Sequence, residues 1–302
     1  NRTAFRIRPG DSCEVFLDGY RAITGTVITR QVAFAAKSHT VEIQVASQGA
    51  VIGHSSAATD GMQFLNKDIG QIAKALAGKV GVNVETFGNM GKAFDRFAIQ
   101  PGESILQALQ RGANSAGKFM SADENGNVVL SDTPYQGGGW VIEGENILEG
   151  NEVIHSQAAG SGYSSAGQAP GNDEQYGAIR NLMQDFQQSM SKFGPGAMPQ
   201  RIMSEMPSFV QDMLKKRGRM ENNVSDQLQI NVTATVLGWQ RQVTAGGLWR
   251  IREKVMVDSP MLIMKRPLVL KAVTFTQNNQ TGTRSTLELC NNAAMGGESS
   301  AS

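Results

Sequence analysis

Cysteine is nearly absent: Cys13 and Cys290 are the only two in 302 residues. Two cysteines cannot form a disulfide framework, and with three scattered histidines they cannot make a standard zinc site. The expectation is two free thiols in a chain folded in a reducing compartment. An excess of charge of either sign is also missing. Twenty-eight basic residues stand against 27 acidic ones, for a net charge of +1. That balance argues against a general nucleic-acid binder and is unlike an acidic tail. Long apolar runs are lacking; stretches such as "VLKAV" at 269–273 are too short to span a bilayer. No secretory leader is visible, and Met does not open the chain. Asn1 runs straight into "RTAFRIRPGD", which reads as the middle of a β-domain, so one or two further strands are expected before it.

What is present suits a folded protein. The chain is 40% hydrophobic and 18% charged, with 34 glycines and only 6% aromatic residues, and its length allows two or three domains. Residues 3–48 alternate with period two. "SCEVFLDG", "ITGTVITRQVAF" and "HTVEIQVA" read as three strands of a meander, with a turn at Asp18-Gly19. Residues 60–133 change period. Ile69, Ile72, Leu76 and Val80 fall at helical spacing, and Gly81 is a C-terminal stop. "PGESILQALQRGANSAG" repeats the pattern with Ile105, Leu106 and Leu109, its Pro-Gly-Glu-Ser start matching a helix N-terminus. "KFMSADENGNVVLSD" is a hairpin turning at Asn125-Gly126. Within residues 157–200, "AAGSGYSSAGQAPGNDEQYG" has no period and reads as a flexible loop, followed by a short amphipathic piece around Leu182 and Phe186 and a Pro-Gly break at 194–199. A helix is expected from residue 204, with Lys215, Lys216, Arg217 and Arg219 at its C-terminal end. Strands return in "DQLQINVTATVLGW", "EKVMVDS", "RPLVLKAVTFTQ" and "STLELCN".

The late strands echo the early ones. Asp18 aligns with Asp258 at a shift of 240, Val27 with Val273 and Thr40 with Thr286 at 246, the difference being supplied by "PMLIMKRP". Three segments in the same order imply two similar β-domains separated by inserts.

These strings also resemble a family. "RIRPGDSCEVFLDG", "TGTVITR" and "HTVEIQVASQ" look like the first barrel of baseplate hub proteins of Mu-type contractile phages, the late-control D-like group. "FAIQPGESILQALQRGANSAGKFMSADENGNVVL" resembles the middle domain of that family, "IEGENIL" its glycine–asparagine turn, and "SGYSSAGQ" its Ser-x-Tyr…Gly-Gln segment. In the last of these, small polar residues replace an apolar one between Tyr163 and Gly167. "MLKKRGRMENNVSDQLQINVTATVLGWQRQVTAGGLWRIREKVMVDSP" resembles its helix, Gly-Trp strand and Leu-Trp turn into a second barrel.

The resemblance implies an α+β, mainly β fold: two similar tube-protein-like β-barrel domains with a small α+β insert. Residues 1–58 with 140–170 would form the first barrel, 60–135 the insert, 157–200 a flexible loop region, 201–293 the second barrel with its preceding helix, and 294–302 a disordered tail. It further implies a non-enzymatic homotrimer that adapts a six-fold tail tube to a three-fold central spike. The expected partners are tube or tube-initiator, spike and baseplate wedge proteins. DNA would pass through the lumen without sequence-specific binding, and no stable membrane insertion is expected. The place would be the virion baseplate, after assembly in the host cytoplasm. The alternative is a tail-associated cell-wall-binding or cell-wall-degrading protein.

Candidate chemistry is thin, and no catalytic, cofactor or metal residues are assigned. Glu143, Glu145, Glu149 and Glu152 could suggest glycoside cleavage, but they lie in one Gly/Asn-rich stretch, whereas glycosidase carboxylates converge from separate elements. Pro101 to Ser104 resembles the start of a LysM glycan-binding module, but a hairpin rather than a second helix follows. His39, His54 and His155 lack ligand spacing, and Gly137-Gly138-Gly139 precedes an apolar strand rather than a phosphate-binding helix. Trp140, Trp239 and Trp249 are expected as core or interface anchors.

Overall fold

The structure is a computed structural model. It describes residues 6–35, 38–57, 63–135, 137–154, 230–241 and 246–291 in full, and the backbone of 163–168, 181–186 and 200–203. The expected helix from residue 204 and the expected tail at 294–302 lie outside the described residues, as does most of 157–200.

The chain opens as the expected meander: β1 (Ser12–Leu17), β2 (Tyr20–Phe34) and β3 (His39–Ser47), antiparallel in that order. Asp18 and Gly19 both take positive φ, at 50° and 79°, which suits a two-residue hairpin turn to the twist of its strands. Directly opposed residues share a face. The pairs Val15↔Ile23, Val27↔Val45 and Val32↔Val41 therefore make one side of this sheet apolar. Gly25 is dictated by close approach: a Cβ there would lie 1.9 Å from the Ala46 carbonyl oxygen.

A short helix, α1 (Val51–His54), leads into the insert. Its elements are β4 (Gln63–Lys67), α2 (Ile69–Ala77), β5 (Val84–Phe87), β6 (Phe94–Ala98), α3 (Ile105–Ala116), β7 (Phe119–Ala122) and β8 (Val128–Ser131). Both longer helices begin in capping boxes, Asp68 with Gln71 and Ser104 with Gln107. Their apolar stripes bury Ile69, Ile72, Leu76, Ile105 and Leu109 against Phe94 and Phe97. β4 pairs with β6, while β5, β8 and β7 form a second sheet in that order.

The remaining strands are β9 (Trp140–Ile142), β10 (Ile147–Ile154), β11 (Tyr163–Gln168), β12 (Asn181–Phe186), β13 (Gln200–Met203), β14 (Ile230–Leu237), β15 (Lys254–Ser259), β16 (Met264–Asn278) and β17 (Gly282–Asn291). Six of them form one sheet in the order β10-β14-β17-β16-β15-β9. Its two outermost strands are joined by a four-residue turn in which the Asn146 amide donates to the Ile142 carbonyl at 3.2 Å. A flat six-stranded sheet would hold its edges about 24 Å apart at ~4.8 Å per strand, so this one rolls into a barrel. Asn146 clasps the seam. Its Oδ1 accepts from the Ile142 amide at 2.8 Å and its Nδ2 donates to the Trp140 carbonyl at 2.9 Å. Val141, Val232, Ala234, Val255, Val257, Leu268, Leu270, Leu287 and Leu289 fill the interior.

Three expectations change. The mainly β class holds, but residues 140–154 pair with the C-terminal strands and not with residues 1–58. Residues 163–168, 181–186 and 200–203, expected within a flexible loop, pair as a separate sheet in the order β12-β11-β13. The internal repeat is present as topology but not at the shift of 246. Both meanders, β1–β3 and β15–β17, have a 15-residue middle strand, and both bulge after three cross-strand pairs. The bulge makes Val27 the equivalent of Leu270 rather than of Val273.

Candidate functional site

The described N-terminal meander, insert and barrel meet along one seam. At its centre, the turn before β15 carries Arg252 in a left-handed conformation, φ 73°, unusual for a residue with a side chain. Main-chain bonds hold it there. Its amide donates to the Leu270 carbonyl at 2.7 Å, and its carbonyl accepts from the Tyr135 amide at 2.8 Å. The guanidinium is 1% exposed, donates to the Thr133 carbonyl at 2.8 Å and lies over the rings of Phe119 and Tyr135. Its Nε and Nη1 find no hydrogen-bond partner among the described residues. Burial pulls the pKa of Arg252 below the usual guanidinium value, against the favourable charge of Asp132. Burial likewise raises the Tyr135 hydroxyl, with the Arg252 charge opposing it.

Polar contacts continue outward. Glu253, 3% exposed, receives the Arg241 guanidinium and the Arg250 amide. Burial pushes the Glu253 carboxyl above its usual range even though Arg241 pulls the other way. Arg250 pairs with Glu124 in the insert hairpin, Arg21 donates to Asn125 at 3.1 Å, and Gln240 donates to Asp18 at the tip of the first β-hairpin. The three bodies line an open cleft of about 780 Å³, bordered in part by Tyr20, Glu85, Phe87, Tyr135, Trp249 and Phe275. Two ion pairs, Arg241–Glu253 and Arg250–Glu124, tie its lining together, which suits a seam that fixes domain positions. Among the described residues no three His, Cys, Asp or Glu side chains cluster as metal ligands.

The sequence candidates fall elsewhere. Glu143 ties down a hairpin: its Oε2 accepts from Ser259 Oγ at 2.5 Å and from the Met261 amide at 3.0 Å, bonds that hold its pKa below the usual carboxylate range. Glu149 pairs with Arg284 on the barrel surface, so the four acids do not face one another across a cleft. The Pro101 to Ser104 turn is occupied by capping. Ser104 Oγ accepts from the Gln107 amide, and Glu103 accepts from the Gln100 amide and from Arg111. Gly137 to Gly139 lead into β9, with the Gly139 carbonyl accepting from the Met256 amide. Trp249 is buried in the barrel core, Trp140 is 43% exposed, and Trp239 donates to the Thr276 carbonyl. His155 and Lys215 to Arg219 lie outside the described residues. Arg252 and Glu253 were not singled out by the sequence; "WRIREK" carries no pattern that marks a buried charge.

Residues 50–132 match the family model described as baseplate hub protein gp44-like, second domain. Over 298 residues the chain is 23% identical to the baseplate hub protein gp44 of Escherichia phage Mu, an alignment covering 94% of this chain and 76% of the Mu protein. The chain resembles the Mu-type baseplate hub proteins. Two solved structures share its fold. The 43 kDa tail protein of prophage MuSo2 from Shewanella oneidensis superposes with a TM-score of 0.80 at 22% identity, covering 97% of this chain and 86% of that one. A tail protein from Neisseria meningitidis MC58 gives 0.72 at 19% identity, covering 95% and 85%. These relatives are described as baseplate hub and tail proteins. No helix among the described residues is long and apolar enough to cross a membrane.

The two thiols differ in setting. Cys290 is buried, and burial pushes its thiol up to about 12, while Cys13 is half-buried and free. A thiol reagent at neutral pH is expected to modify Cys13 in the native protein and Cys290 only after denaturation. Rapid native labelling of both would show that β17 does not stay paired.

Proposed function

We propose that this chain is the baseplate hub of a contractile phage tail or tail-like particle, acting as a trimeric adaptor between a six-fold tail tube and a three-fold central spike. One observation carries the reading: a single chain holds two meanders of the same strand order, middle-strand length and bulge position. Three such chains offer six similar sheets to a six-fold partner, while the insert between them repeats only three times. The likeness to the Mu hub supports the same conclusion. The N-terminal sheet adds a physical motive. Among the described residues both its edges are open, and Phe16, Ile28 and Phe34 stand 52%, 56% and 78% exposed, features that invite pairing unless a neighbour covers them. The partners this role implies are the tube or its initiator, the spike and the wedge proteins around the hub, with DNA passing through the centre.

The mass in solution tests it. Light scattering is expected to return three chains of 32.4 kDa each; a stable single chain or a dimer at micromolar concentration would contradict the trimer.

A further inference from the structure

The turn between β15 and β16, residues 260–263, is built as an apolar knob. Met261 is 82% exposed and Ile263 is 94% exposed. Ile263 sits at φ 47°, a conformation that a β-branched side chain rarely takes. Flexibility does not explain the exposure, because the turn is fastened from below. Glu143 accepts from Ser259 and from the Met261 amide, Ser259 Oγ accepts from the Leu262 amide at 3.2 Å, and the Ile263 amide donates to the Pro260 carbonyl. Leu262 turns inward onto the barrel core beside Gly150. Strained backbone held by several bonds, with two large apolar side chains pointed at solvent, is the arrangement of a contact surface.

The internal repeat says what the knob meets. Its counterpart in the first meander is the Asp18-Gly19 tip of the β1–β2 hairpin. That tip is already docked within the chain, with Asp18 accepting from Gln240 and the Tyr20 hydroxyl lying over Gly246, both in the connection between β14 and β15. The first repeat therefore touches the second through its hairpin tip. If repeats alternate around a closed ring, as the function proposed above requires, the second must touch the next first repeat through the corresponding tip. The first meander also leaves large apolar side chains exposed: Phe16, on the face it shares with Glu14 and Arg21, and Phe34, on the opposite face with Val32 and Val41.

Resting on that trimeric reading, we infer that Met261 and Ile263 dock on the N-terminal meander, residues 6–47, of a second copy of this chain. The contact within the chain is polar, made by Asp18 and Tyr20 on the connection that precedes β15, whereas the contact between chains would be apolar.

Two measurements on the full chain test the contact. In the first, the mass of a Met261→Asp, Ile263→Asp double variant is compared with that of the wild type. The exposure of both sites, and the ease with which Asp takes a positive φ, leave the fold intact. The expected result is three chains for the wild type and one for the variant, at unchanged unfolding midpoint of the isolated chain. Three chains for both overturns this contact and spares the trimer; one chain for both overturns the trimer and the contact together. In the second, Met261→Cys in a Cys13→Ser background carries a benzophenone maleimide and is irradiated. Cross-links to peptides within residues 6–47 of another copy are expected. Cross-links confined to the same chain, to other regions of a second copy, or none at all from a three-chain particle would overturn the assignment.

Discussion

Gly138→Ala is expected to leave little soluble folded chain. A Cβ at this position would lie 1.8 Å from the Lys254 carbonyl oxygen and 3.2 Å from Glu253 Cβ. The obstacle is backbone, so no rotamer change relieves it. Residue 138 must lift away from β15, which breaks the Gly139–Met256 hydrogen bond and the parallel pairing of Trp140 with Met256 that completes the barrel. Overpacking a core usually costs about 1–3 kcal/mol; a clash with a main-chain carbonyl lies above that range and is a large share of the roughly 5–15 kcal/mol that holds a domain together. Soluble yield and thermal unfolding read the effect. A midpoint within about 2 °C of wild type, a shift worth less than ~1 kcal/mol, would mean that this strand is not held as described.

Glu253→Ala is expected to cost about 3–5 kcal/mol, because it strands the largely buried Arg241 guanidinium without its carboxylate. Glu253→Gln keeps an acceptor and should cost less. The acid also has a distinct pH signature. Burial raises the folded-state pKa of Glu253 above its unfolded value, with Arg241 opposing. The folded chain therefore holds this proton more tightly than the unfolded one. Its contribution is fully present below the unfolded pKa, about 4.5, and is lost as pH rises through the folded value. Measured by urea unfolding, the stability of the wild type relative to Glu253→Gln should fall as pH rises from about 4.5. A difference that rises with pH would show that Arg241 lowers the carboxyl more than burial raises it.

Much of the fold can be read from local patterns, and what cannot is non-local. The three early strands, the Asp18-Gly19 turn, both insert helices and the Asn125-Gly126 hairpin each carry a signal within a few residues: alternation, a capping box, a residue pair that accepts positive φ. Sheet membership carries no such signal. "WVIEGENILEGNEVI" reads as two strands wherever it pairs, and only the partners Met256, Val232 and Thr233 assign it to the C-terminal barrel. "SGYSSAGQ" has small polar residues and adjacent glycines, so its pairing with residues 181–186 and 200–203 was not legible. The repeat was visible, but identities alone matched Val27 to Val273. The bulge that fixes register is a backbone event, and it moves the match to Leu270. At the seam, Arg252 looks like any surface arginine in "WRIREK"; its burial follows from a turn geometry that no neighbouring residue announces.

The repeat matters functionally only if its two copies occupy equivalent places. A reconstruction of the assembled particle, or of the isolated oligomer, can locate both meanders in each chain. Residues 12–47 and 254–291 are expected at the same radius from the particle axis, related by a rotation of about 60°, with intrachain and interchain contacts alternating around the ring. Meanders at different radii, or with strands inclined differently to the axis, would contradict the adaptor role even in a particle where this chain proves to be part of the baseplate.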